Sequence, residues 1–168
     1  MIRNKKIISF FSTFFYYYLF YYKDGDDMRI FYAFKIKKEF YDIYNETPSV
    51  LYNFFNQLYN FRKEDLDYGN NLFQQIANMF DKESLDRKLF IKLHNKLKYC
   101  KRGDEHIIND LYKDEVSIMK IKKSYIIINS NKVCTEFFDF LLEEDKYIFV
   151  CDFINHDYFY VNNLKMLV

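Results

Sequence analysis

Tryptophan is absent from this chain of 168 residues, proline occurs once and glycine only three times. So few glycines leave little room for a phosphate-cradling loop. The P-loop, Rossmann and G-x-S-x-G patterns are all missing, which removes the common nucleotide-binding and serine-hydrolase classes. Cys100, Cys134 and Cys151 are odd in number and far apart, with no C-x-x-C pair, so neither a disulfide framework nor a structural zinc site is expected. His94, His106 and His156 form no ligand cluster, and no metal or cofactor is expected. An excess of one charge is lacking too. With 25 basic and 24 acidic residues there is no electrostatic footprint for gripping nucleic-acid phosphates, so no direct nucleic-acid contact is expected.

What is abundant is aromatic: 20 Phe and 17 Tyr in a chain that is 50% hydrophobic and long enough for one well-filled core. The stretch from Arg29 to Phe55 reads as strand, short basic connection and helix. Ile30, Tyr32, Phe34 and Ile36 recur at period two and predict one firmly buried face, with Phe31, Ala33 and Lys35 on a partly covered one. Thr47 and Pro48 predict a helix start, and Leu51, Phe54, Phe55 and Leu58 give that helix its apolar stripe. Between strand and helix lies Phe40-Tyr41-Asp42-Ile43-Tyr44, too aromatic for an ordinary solvated loop. Two readings stand side by side. Either Phe40 and Tyr44 fold back into the core, or, four residues apart on one side of a helical turn, they form an exposed patch that anchors a protein partner.

Further along, Leu72, Phe73, Ile76, Met79 and Phe80 predict a helix with Gln74 and Gln75 on its exposed side. Leu85, Leu89, Leu93 and Leu97 predict another, capped by Ser84, whose opposite face carries Arg87, Lys88, Lys92, Lys96 and Lys98. Residues 101–106 read as a turn and 107–112 as a short helix or loop, followed by a hairpin of strands 116–121 and 125–129. Asn131 would cap a helix running to Glu143, and acidic Glu143, Glu144 and Asp145 predict a frayed end. Tyr147–Phe153 reads as a central strand, and Tyr158–Val161 as the last. The expected architecture is a single α/β domain with a mixed sheet of about four or five strands flanked by helices.

The uncharged run from Ile7 to Tyr22 raises a membrane anchor as an alternative. At about 1.5 Å per residue it makes a helix shorter than a bilayer core, and its tyrosines are costly at membrane depth. Residues 1–27 are therefore expected to be a non-conforming extension, a mis-assigned start or a tail, ahead of a domain at 28–168 for which no membrane contact is expected.

Two stretches carry a resemblance. The first is the aromatic strand followed by Ile36-Lys37-Lys38-Glu39-Phe40, then Tyr44, then Ser49-Val50 and the Phe54-Phe55 pair. The second runs from SYIIINSN to Tyr158-x-Tyr160-x-Asn162 and includes Glu136-Phe137-Phe138 and Asp152-Phe153. Their order and separation resemble the SirA family, the sporulation inhibitors of replication. The resemblance implies a cytoplasmic, non-enzymatic protein that binds the N-terminal domain of the initiator DnaA and blocks its assembly at the origin. It also implies a fold like the phospholipase D superfamily without that superfamily's catalytic motif. The family's contacts would fall on Phe40, Tyr41 and Tyr44 and, further along, near Gln74 and Gln75. His94-Asn95-Lys96 is the one fragment of an H-x-K-x4-D motif, and Lys101 stands where its aspartate belongs, so a degenerate phosphodiesterase is the weaker alternative.

Overall fold

The run of β1 (Arg29–Ile36) carries no charge between its first residue and Lys35, and its structural consequence is burial on both sides. A computed structural model describes residues 28–166. After β1 come α1 (Lys38–Tyr44), α2 (Pro48–Tyr59), a 3-10 turn (Lys63–Asp65), α3 (Leu66–Ile76), β2 (Ala77–Asn78) and α4 (Lys82–Leu93). Then follow β3 (Tyr99–Arg102), β4 (Glu105–Asp110), β5 (Glu115–Ile121), β6 (Ile126–Ser130), α5 (Glu136–Glu144), β7 (Ile148–Asp152), β8 (Asp157–Tyr160) and a closing 3-10 segment (Val161–Met166). Together they make one α/β domain.

The sheet is larger than expected: eight strands in the order β3-β4-β5-β6-β1-β7-β8, with β2 pairing beside β6 along the end of β1. Nor is it mixed, because all seven pairings among the described strands are antiparallel. The missing strands come mainly from a hairpin hidden in residues 99–110. There Gly103, at φ 57°, adopts the left-handed conformation of a two-residue turn linking Arg102 to its partner Glu105.

Helices cover both faces. Phe31 and Ala33 point into a core completed by Leu85, Leu89 and Leu93 of α4 and by Phe137, Phe138 and Leu141 of α5. Phe34 and Ile36 point into a second core with Leu51, Tyr52 and Phe55 of α2 and Phe73 of α3. The expectation of a half-covered β1 is therefore corrected: Phe31 and Ala33 are wholly buried. β7 is buried at all five positions, yet it lies between β1 and β8, one strand from the edge, because its burial comes from the helical layers and not from a central place.

Local charges explain other departures. The lysine-rich face of α4 is engaged by α5: Lys88 pairs with Glu144 at 2.6 Å, Lys92 with Glu143, and Lys96 with Glu136. Asp145 meets Lys35 at 3.1 Å, so the acidic end of α5 is tied down, not frayed. α5 starts later than expected, at a Thr135 cap, leaving Val133 and Cys134 exposed in the preceding loop. α4 ends at Leu93 with Leu97 fully exposed beyond it, and Asp81, not Ser84, supplies the cap by accepting from the Ser84 amide. α3 ends at Ile76 because residues 77 and 78 pair with β1, and Met79 is left exposed.

Asp152 closes the β7–β8 turn. It accepts from the amides of Ile154 and Asn155, from the Asn155 side chain at 2.7 Å and from Arg29 Nε at 2.8 Å. Burial alone would raise its carboxyl, but the Asn155 and Arg29 bonds outweigh that and hold it below the ordinary value. A depressed folded-state value means stability that is present above the unfolded pKa of about 3.9 and lost as pH falls through the folded one. The free energy of unfolding is expected to decline as pH drops below about 4, with a shallower slope in Asp152→Asn, measured by urea titration.

Candidate functional site

α1 is short, seven residues, and none of them is buried. It starts where the Lys37 amide donates to the Ile76 carbonyl at 2.9 Å, and its first turn closes with the amides of Phe40 and Tyr41 donating to the Lys37 carbonyl. Three of its side chains, Phe40, Tyr41 and Tyr44, pack against the second core. Tyr41 makes edge contacts with Tyr147 and Tyr160, both at 4.9 Å, and its hydroxyl accepts from the Asn162 side-chain amide at 2.8 Å.

Phe40 and Tyr44 pack against the same second core as Tyr41. Their rings are nearly parallel, 15° apart at a centroid distance of 6.4 Å. Each is partly buried, packed against the core beneath and partly open to solvent, so neither ring is sealed in the core or fully exposed. Between them Ile43 is 63% exposed, which an isoleucine tolerates only at a cost in apolar hydration. Phe40, Ile43 and Tyr44 follow i, i+3, i+4 spacing and make one continuous apolar face. The i+3 spacing from Phe40 is the sequence signal for Ile43. Exposed Glu39, Asp42 and Glu46 rim the face.

Gln74 and Gln75 are exposed on the last turns of α3. A backbone bond from Lys37 to Ile76 ties that end of α3 to the start of α1. Of the residues expected at a contact, Gln74 and Gln75 are exposed, Phe40 and Tyr44 are partly covered, and Tyr41 is held by Tyr147, Tyr160 and Asn162.

The other chemical groups are occupied. His94 sits at the end of α4 with Nδ1 2.9 Å from the Ile91 carbonyl, and Lys96 is paired with Glu136. His156, at φ 55°, places Nδ1 3.0 Å from the Tyr52 hydroxyl and not against Asp152 or Asp157. One cluster has no counterpart in the sequence reading. His106 is wholly buried, with Nδ1 2.7 Å from the Tyr99 hydroxyl and Nε2 2.9 Å from Asp86, which also pairs with Lys101. Burial outweighs the Asp86 carboxylate and lowers the His106 value, so the ring is neutral and takes the Tyr99 proton donor at Nδ1. The Tyr99 hydroxyl is pushed up to about 12 by burial and by Asp86. The alternation His106, Ile108, Asp110 was the signal for this strand. Among the described residues no group of His, Cys, Asp and Glu side chains gathers at metal-binding spacing.

Among the described residues no helix is long and apolar enough to cross a membrane; the run from Ile7 to Tyr22 and the proposed extension at residues 1–27 lie outside them. The fold defines a small single-domain α/β protein with a largely antiparallel sheet. The family model described as "Sporulation inhibitor of replication protein SirA" matches residues 29–165, beginning at the first residue of β1. The chain belongs to the SirA family, whose members are inhibitors of replication linked to sporulation. No curated protein sequence matches it.

Proposed function

We propose that this protein inhibits the initiation of DNA replication by binding the N-terminal domain of DnaA in the cytoplasm, without catalysis, and thereby keeps the initiator from assembling at the origin. The observation that carries this reading is the Phe40–Ile43–Tyr44 group on α1, with Ile43 open to solvent and both rings only partly covered. Two near-parallel rings with an exposed isoleucine beside them supply the apolar centre of a hot spot, and the charges around them supply its rim. Gln74 and Gln75 are exposed at the end of α3 that is bonded to the start of α1, and in this reading they add amide donors and acceptors to the contact. A family role in replication control calls for a protein partner, and the near-balanced charge of the chain fits a protein surface better than DNA. The non-enzymatic reading is supported by Lys101 standing where the aspartate of H-x-K-x4-D belongs and by the lack of a second H-x-K in the sequence.

Calorimetric titration of the protein with the isolated N-terminal domain of DnaA tests the proposal. Saturable 1:1 binding, with loss of initiator self-association, is expected; no heat and no change in self-association would remove the proposed partner.

A further inference from the structure

A groove opens on the α2–α3 side of the sheet, away from α1. Its floor is Tyr32 and Ile127, and its walls come from Leu58 and Tyr59 of α2 and from Gly69 and Phe73 of α3. Its volume is about 390 Å³, within the range of small-molecule sites and well above a packing defect. Gly69 shapes one wall. A Cβ there would lie 2.7 Å from Phe61 Cδ2, so only glycine lets Phe61 lie against α3 at the groove's outer end.

The lining is aromatic and uncharged. No Lys, Arg, Asp or Glu contributes to it, although the α2–α3 connection beside it carries Arg62, Lys63, Glu64 and Asp65. Its polar groups are phenols and small neutral side chains. The rings of Tyr32 and Tyr59 lie 5.4 Å apart, and Tyr125 stands 6.0 Å from Tyr32, with Ser124 at the mouth. Burial raises the Tyr32 value, so this end offers neutral donors and acceptors at any physiological pH. Complementarity then fixes the occupant. A charged ligand would lose its hydration with no opposite charge to meet, whereas an apolar body with one neutral hydrogen-bonding end matches both parts.

We propose that this groove is a binding site for a neutral lipophilic small molecule bearing a single polar end, of the class of long-chain alcohols. The site is separate from the α1 face, so it gives the domain a second, independent binding function.

The probe is N-phenyl-1-naphthylamine, neutral and fluorescent only in apolar surroundings, added to the full chain and displaced by 1-decanol or by decanoate at pH 8. Saturable fluorescence is expected, with decanol displacing the probe at a concentration about tenfold lower than decanoate. Two variants fill the groove from opposite sides, Asn70→Phe from α3 and Ser124→Phe from the β5–β6 loop. Each is expected to abolish the signal, and circular dichroism identifies any variant that fails to fold. Absence of a saturable signal in the wild-type chain, equal displacement by decanol and decanoate, or a signal unchanged in a folded filling variant would each overturn the assignment. Titration with the DnaA domain in the same samples keeps this outcome apart from that of the α1 face.

Discussion

Phe40→Ala is expected to weaken binding to the DnaA N-terminal domain by about thirtyfold, with Tyr44→Ala close behind, and to lower the thermal midpoint by a few degrees without unfolding the domain. The reasoning is local. Each side chain keeps a minority of its surface in solvent and packs the rest against the second core, so truncation removes the area offered to a partner together with some packing. α1 stays in place because its anchor is Tyr41, held by Tyr147, Tyr160 and Asn162, and because its first turn is tied to the end of α3. Ile43→Asp is expected to act more strongly than its size suggests, since it sets a carboxylate in the middle of an apolar contact. Calorimetric titration gives the affinities, and a thermal scan of the same samples shows whether the fold is retained.

Phe55→Ala is expected to have the largest effect on stability, about 3–5 kcal/mol. Phe55 is 1% exposed and its ring lies parallel to Phe34 at 4.1 Å, with Phe54, Phe73 and Phe149 around it. That ring joins α2 and α3 to β1 and β7, and its removal leaves a cavity that stiff neighbouring rings cannot close. A loss of this size lowers the thermal midpoint of a domain of about 140 residues by roughly ten degrees or more. Binding by the folded fraction should stay near the wild-type value, the reverse of the α1 variants. Denaturant unfolding and titration together separate the two.

The sequence made some of this legible and hid the rest for physical reasons. β1, α2, the β5–β6 hairpin and the β7–β8 pair were readable because apolar periodicity, a proline at a helix start or a turn marked each one. The β3–β4 hairpin was not. Its strands carry Lys101, Arg102, Glu105 and His106, charges that look like a solvated turn until Asp86 is found across from Lys101 and His106. The antiparallel sheet escaped notice because burial on both faces produces continuous apolar runs such as Ile148–Val150, a pattern shared with parallel strands. At the α1 surface, the aromatics announced themselves. The tie between the end of α3 that carries Gln74 and Gln75 and the start of α1 depends on a bond between Lys37 and Ile76 that no spacing rule gives.

Amide hydrogen exchange of the protein, alone and saturated with the DnaA N-terminal domain, tests the α1 surface most directly. The expected result is slowed exchange across residues 38–44 and at the end of α3 around 74–76, with the α4–α5 layer unaffected. Binding that protects α4 and α5 instead, and leaves residues 38–44 exchanging as in the free protein, would contradict it.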